Sequence, residues 1–174
     1  SSPRLDAIVQ HIRNGNLATA ERLANEAVTA LPRDAAAHEL LGVVLALQAK
    51  PDAALAALQT AMKLAPEGAS AITKAATLLM AMNRTDEAMV HFDRALRLDP
   101  ANRFAHQRIG MIHESRNELA PAIAHFEKGL IGTAPNYLGV KLNLGRLYNL
   151  SGRFEDTVAL LAPVVDHAKG VERN

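Results

Sequence analysis

Four prolines set the frame within which this chain can fold. Pro32, Pro66 and Pro100 stand 34 residues apart, and Pro135 follows after 35. Each closes a similar phrase: EAVTALPRD, TAMKLAPEG, RALRLDPAN and KGLIGTAPN. A recurrence of this length marks a tandem array, in which one copy cannot bury its apolar face alone and shares it with its neighbours. Taking Pro32 as repeat position 32 divides the chain into units 1–34, 35–68, 69–102, 103–137 and 138–174, with a one-residue insertion in LIGTAP.

Other positions fall into the same register. Position 8 is small in Gly42, Ala76, Gly110 and Gly145, with Ile8 departing. Position 20 is Ala20, Ala54, Ala88 and Ala122, then Thr157. Position 27 reads Ala27, Ala61, Ala95, Gly129 and Val164, and position 24 reads Ala24, Leu58, Phe92, Phe126 and Leu161. Within each unit two apolar segments flank a polar turn. In the second unit Leu41, Leu45 and Leu47 mark one segment, and Leu55, Leu58, Met62 and Leu64 the other. Spacings of three and four place these side chains on one helical stripe. Aromatic residues are only 3% with no Trp, so the core is built from Ala, Leu, Val, Ile and Met, and Ala and Leu are strong helix formers. β-Branched runs bounded by Gly or Pro are missing, which argues against strands. Gly42 and Ala54 would let two helix axes approach closely; the Gly costs about 1 kcal/mol in a helix interior, which tight packing must offset.

The punctuation agrees with helical hairpins. Turns within the units are expected at Asn14-Gly15-Asn16, Lys50-Pro51-Asp52, Asn83-Arg84-Thr85-Asp86, Arg116-Asn117 and Ser151-Gly152. Pro51 and Pro121 suit the first turn of a second helix, where a missing N–H is harmless. Asp34, Asn102 and Asn136 are expected N-caps of the next first helix. Pro163 falls inside the last second helix, where it removes a hydrogen bond and clashes with the preceding turn, so a kink or break is expected near Ala159–Pro163. The glycine-rich GLIGTAPNYLG reads as a loosened helix end, with Gly129 and Gly132 lowering helix propensity.

A 34-residue period with small residues at positions 8, 20 and 27, a bulky residue at 24 and Pro at 32 resembles the tetratricopeptide repeat. LNLGRLYNLSGRFEDTVALL matches one unit of that family, and HFDRALRLDPANRFAHQRIGMIHE joins two. The Trp usual at position 4 is replaced by Arg4, His38, Ile72, His106 and Lys141. The resemblance implies an all-α, right-handed α-solenoid of about five helix–turn–helix units, forming a single array over 1–174 that is a fragment of a longer bacterial protein.

It also implies a concave groove lined by first-helix positions 2, 5, 6, 9, 12 and 13. Carried over, the early units offer Leu5, Val9, Ile12, Val43, Ala46 and Leu47; Leu5, Val9 and Val43 read equally well as core. The later units offer Lys74, Thr77, Gln107, Arg108, Met111, Asn143, Arg146 and Asn149, with Thr73, Met80, Phe104 and Glu114 beside them. Such a groove suits a protein or peptide partner with apolar anchors and a carboxylate held by Arg108 and Arg146; a solvated helix face is the other reading of Lys74, Arg108 and Arg146. The family's clamp for acidic chaperone tails is missing, since Leu5, Val9, Glu39 and Val43 stand at its positions. The asparagine ladder of sugar-transferase arrays is missing too, Asn143 alone fitting it.

Several function classes are disfavoured. Nineteen basic against 18 acidic residues leave a net charge of +1, without the concentrated basic face that nucleic acid requires. No apolar run approaches the length of a membrane span. There is no Cys, and no His pair with zinc spacing, so no metal or cofactor is expected. No phosphate loop or nucleophile motif is present, so no enzymatic activity is expected of these residues. The expected role is a protein-interaction scaffold. Two alternatives are a non-catalytic region of a bacterial sulfotransferase, glycosyltransferase or methyltransferase, and a scaffold that forms homo-oligomers through uncapped ends, because the chain stops at HAKGVERN without a polar closing helix. The expected compartment is the cytoplasm, or the periplasm if a signal segment has been removed.

Overall fold

The computed structural model describes residues 3–131 and 138–171, and side chains as far as residue 165. Ten helices and no strand make up the described residues. They are α1 (Pro3–Arg13), α2 (Leu17–Ala30), α3 (Ala35–Leu47), α4 (Pro51–Leu64), α5 (Ala69–Ala81), α6 (Thr85–Leu98), α7 (Arg103–Ser115), α8 (Leu119–Leu130), α9 (Leu138–Leu150) and α10 (Phe154–Val171). Each repeat contributes one antiparallel pair, split where the polar turns were expected. Contacts divide the chain into two compact units, Ser1–Asp99 and Pro100–Asn174.

One turn geometry joins the helices of every pair. Gly15, Ala49, Asn83, Asn117 and Gly152 all occupy repeat position 15, with φ of +73°, +57°, +60°, +60° and +75°. The residue after each donates its N–H back across the turn: Asn16 to His11, Lys50 to Leu45, Arg84 to Leu79, Glu118 to His113 and Arg153 to Tyr148, at 2.8–2.9 Å. This Schellman arrangement satisfies the last carbonyls of the first helix and needs a left-handed residue at its corner. Gly and Asn tolerate that conformation; Ala49 pays a Cβ clash for it.

In the first unit, α1–α3 enclose a core of Ile8, Ala20, Ala24, Ala27, Ala37 and Val44, onto which Leu5, Ile12, Leu40 and Leu41 pack. Asp34 caps α3 by accepting from the N–H groups of Ala36 and Ala37. Lys50 pairs with Glu21 at 2.8 Å, and Lys74 with Glu39 at 2.7 Å, each tying a hairpin to the next. In the second unit Ala122, Ile123, Phe126, Leu144, Leu147 and Tyr148 form the core. There Asn102 caps α7 through the N–H of Ala105, Arg146 pairs with Glu114, and Arg153 reaches Glu127 at 3.2 Å. The Tyr148 hydroxyl also donates to Glu127, and burial together with that carboxylate raises the phenol to about 12.

The helix pairs close as the small residues require. A Cβ on Gly42 would stand 2.7 Å from Leu58 Cγ and 3.1 Å from the Ala54 carbonyl oxygen. On Gly110 it would stand 3.1 Å from the Phe126 ring. On Gly145 it would meet Leu161 at 3.4 Å and Thr157 at 3.5 Å, an ordinary contact. In all three, position 8 of the first helix faces position 24 of the second.

Two expectations need qualification. Of the kink or break expected near Ala159–Pro163, the break does not occur: α10 runs from Phe154 to Val171 through Pro163. Ala159 and Pro163 are both exposed, so water can satisfy the carbonyl that the proline leaves without a donor. Gly129, expected to loosen the helix end, has a packing role besides. It is buried in the last turn of α8, and a Cβ there would approach Gln107 Cγ to 2.8 Å. The helix does end early, at Leu130, whereas α2, α4 and α6 run two register positions further. Gly132, Pro135 and the expected cap Asn136 lie outside the described residues.

These contacts have opposite consequences for substitution. Gly42→Ala is expected to lower stability in urea denaturation by about 1–3 kcal/mol through overpacking. Gly145→Ala is expected to raise it by about 0.5–1 kcal/mol, because helix propensity improves without a clash. Ala49→Gly should likewise raise it, by about 0.5–1 kcal/mol, on relieving the left-handed strain.

Candidate functional site

First-helix side chains at positions not used in hairpin packing are the ones available to a partner. Of the residues expected to line the groove, most have their polar groups engaged within the fold. In the first unit Val43 is half-buried, and Leu5 and Ile12 belong to the core. Thr77 donates its hydroxyl to the Thr73 carbonyl one turn back on α5. The Lys74 ammonium is held between Glu39 and the Ser70 hydroxyl. The apolar end expected from the early units is thus largely half-buried, although Leu47 on α3 is 54% exposed.

In the second unit Gln107 donates its amide to the Gly129 carbonyl at 3.3 Å. Asn149 accepts from the Thr157 hydroxyl at 2.8 Å, and Arg146 is committed to Glu114. Arg108 and Asn143 are different: among the described residues neither is paired with a carboxylate. The Arg108 guanidinium carbon lies 4.8 Å from the centroid of Phe104, and an Arg108 nitrogen lies 3.8 Å from the Met111 sulfur. Phe104, Met111 and, on α9, Leu142 are 42%, 41% and 51% exposed. The exposed apolar surface of the first helices is therefore concentrated on α7 and α9, where the sequence reads as polar. Leu142, at position 5, belongs with this surface; its apolar character was overshadowed by Asn143 and Arg146.

The histidines serve packing. His38 Nε2 lies 3.0 Å from the Pro32 carbonyl oxygen, and His106 Nε2 lies 3.1 Å from that of Pro100. Position 4 thus anchors the end of the preceding second helix. Arg94 does the same for Pro66, at 2.6 Å. Because His106 Nε2 donates, its Nδ1 accepts, and His125 Nδ1–H supplies the proton at 3.0 Å. His113 stacks beside His125 with ring centroids 5.6 Å apart and bonds Glu118. Burial pushes His125 down to about 4, with repulsion from His106, His113 and Lys128 adding to it. Burial and Arg94 lower His91 in the same direction. Among the described residues no group of three His, Asp or Glu side chains is arranged to hold a metal ion, and no helix is long and apolar enough to cross a membrane.

Helical hairpins in tandem, joined by one repeated turn and closed by small residues at fixed positions, define a helical-repeat protein. The tetratricopeptide repeat family matches residues 5–69 and again residues 45–109. The chain belongs to that family. No curated protein matches it in sequence. Among solved structures it is similar to a crystal structure of MamA, with 19% identity over 95% of this chain and 96% of that one, at a TM-score of 0.78. MamA from Desulfovibrio magneticus RS-1, residues 41 to the end, gives 16% identity, 97% coverage of both chains and a TM-score of 0.77. PilF of Pseudomonas aeruginosa gives 21% identity over 92% of this chain and 74% of that one, at 0.81. At these identities the shared property is the fold.

The histidine cluster makes stability depend on pH. His125 in the folded chain lies below its ordinary value of 6.5, so the unfolded chain binds a proton that the folded chain refuses. The stabilisation is complete above about pH 6.5 and declines as pH falls toward about 4. Urea midpoints are expected to drop between about pH 7.5 and about pH 5, and to drop less steeply in His125→Asn.

Proposed function

We propose that this chain is a protein-interaction scaffold whose first-helix face takes a segment of a partner polypeptide. The observation that carries the reading is the exposure of Phe104, Met111 and Leu142 on α7 and α9. These side chains are large and apolar, and the core of the second unit is complete without them. Clustered apolar side chains rimmed by polar groups mark interaction sites more often than isolated ones do. Aromatic, Met and Arg side chains together are the composition enriched at interface centres. Asn143 offers one donor and one acceptor group to a bound backbone. Gln107, Arg146 and Asn149 frame the face, their polar groups engaged by neighbours; Val43, Lys74 and Thr77 stand on first helices of the other compact unit.

A second reading, self-association, is favoured by a different surface. Phe154, Val158 and Val165 on α10 are 63%, 68% and 49% exposed. They stand at positions 17, 21 and 28, where α8 carries Leu119, Ile123 and Leu130, all of them covered or half-buried. On α1 the residues Pro3, Asp6 and Gln10 are exposed and offer no apolar complement. Pairing of α10 with α10 of a second copy therefore fits better than end-to-end stacking.

The partner-binding reading is tested by selecting displayed random peptides against the wild-type chain. Binders should be lost with Met111→Asp/Leu142→Asp and kept with Val90→Asp on α6; retention by both variants would remove the reading. For self-association, light scattering over a concentration series should show dimers that Val158→Glu abolishes, and a monomer at every concentration would dismiss it.

A further inference from the structure

A corner of the array can be tied to the second helix of the preceding hairpin by its own side chains. In the first unit Gln48, at position 14, donates its amide to the Leu17 carbonyl of α2 at 3.3 Å. Two residues on, Lys50 reaches Glu21 on the same helix at 2.8 Å. In the second unit the corner of α9 and α10 carries Ser151 and Arg153 at these two positions. Ser151 is too short to cross, and its hydroxyl donates to the Leu147 carbonyl of its own helix at 2.8 Å. Arg153 finds Ile123 rather than an acid at position 21. Its guanidinium carbon lies 4.3 Å from the Tyr148 ring centroid, and its donors are divided between Asp156 at 2.5 Å and Glu127 at 3.2 Å. A cavity of about 320 Å³ is left between α8 and the corner, floored by Leu119, Ala120, Ile123 and Ala124, with Glu127 one turn further along α8.

The floor is aliphatic, and its two alanines are exposed. Glu127 receives both the Tyr148 hydroxyl and Arg153 on a single oxygen, Oε1. Its Oε2 has no partner among the described residues, although a carboxylate accepts on both oxygens. Glu127 and Asp156 share the one guanidinium of Arg153, so this cluster keeps one net negative charge. An apolar trough that ends at an acid with a spare acceptor matches a side chain with an aliphatic stem and a cationic head, which is the build of Lys and Arg.

We propose that this cavity is a docking site for an exposed Lys or Arg side chain of a partner polypeptide. The stem would lie along Leu119, Ala120, Ile123 and Ala124, and the head would donate to Glu127 Oε2 in a charge-assisted bond. The partner would thus supply from outside what Gln48 and Lys50 supply within the first unit. The site goes beyond the first-helix face and shares no residue with it, so the two stand or fall separately.

The test is an NMR titration of the whole chain, observed at the Ala120, Ile123 and Ala124 methyl groups. The probes are N-acetyl-Ala-Lys-Ala-amide, its norleucine counterpart, which keeps the stem without the charge, and n-butylammonium, which keeps stem and charge without the peptide. The Lys peptide is expected to shift these methyl resonances in a saturable way. The norleucine peptide, and the Lys peptide on Glu127→Gln, should bind about tenfold or more weakly, as loss of a charged hydrogen-bonded pair requires. Ser151→Gln, which copies Gln48, should fill the cavity and abolish the shifts without lowering the urea midpoint. Undiminished binding by Ser151→Gln would overturn the placement, and equal binding of the Lys and norleucine peptides would overturn the choice of a basic side chain. Binding of n-butylammonium as tight as that of the Lys peptide would overturn the polypeptide partner in favour of a free amine. Absence of any shift with all three probes would overturn the proposal as a whole.

Discussion

The rest of the structure depends on how closely the two helices of each hairpin approach where position 8 meets position 24. At Gly42 the space normally filled by a methyl group is taken by Leu58, and at Gly110 by the ring of Phe126. Glycine in a helix interior is unfavourable by about 1 kcal/mol, so the chain accepts a local cost at each site to bring two apolar stripes into contact. The small residues at positions 20 and 27 act in the same sense: Ala20, Ala54, Ala88 and Ala122 are fully buried, as are Ala27, Ala61 and Ala95. A core made of close helices and methyl groups has little room for aromatic rings, which explains how a chain with 3% aromatic residues and no Trp reaches dense packing. The two buried phenylalanines, Phe92 and Phe126, both occupy position 24, where the facing residue on the first helix is Ala76 or Gly110.

The fold was legible in the sequence because its determinants are local or periodic. Prolines, turn residues and small residues recur at fixed spacing, and the helices begin and end within a residue or two of the expected turns. What could not be read depends on partners a whole repeat away. Lys74, Arg108 and Arg146 look alike in the sequence, all being cations at groove positions. Their different fates follow from Glu39 and Glu114, which lie 35 and 32 residues distant and reach them only once hairpins stack. The helix-spacing rule pairs residues three or four apart and is blind to such contacts. His125 was equally hidden, since it joins His106 and His113 from the facing helix rather than from their own. At Pro163 the propensity rule counts the lost bond, whereas the helix continues at a position exposed enough for water to reach the freed carbonyl.

The histidines illustrate how the repeat reuses a position for different chemistry. Position 4, where the family ordinarily places a large aromatic ring, carries a hydrogen-bonding imidazole in His38 and His106. Each reaches back to the proline carbonyl at the end of the preceding second helix. In the third repeat Ile72 fills the same place and cannot donate, and the carbonyl of Pro66 is bonded by Arg94 from α6 instead. The requirement is that the carbonyl be satisfied, and the sequence is free to choose which side chain does it. Where a first-helix cation has an acid within reach, as Lys74 and Arg146 do, it becomes part of the scaffold.

The corner residue at position 15 divides the connections of this chain into two kinds. Inside a hairpin, the bond across the turn fixes both the length of the link and the handedness of its corner residue, so an added residue would break the bond and misdirect the second helix. Between hairpins the joint lacks this left-handed corner, and the backbone bonds that recur there are the shorter ones from Asp34 to Leu31 and from Gly68 to Ala65; it is at such a joint, in LIGTAP, that the chain carries its additional residue. Growth and drift in the length of such an array are therefore confined to alternate joints, and each helical pair passes through them as an indivisible building block.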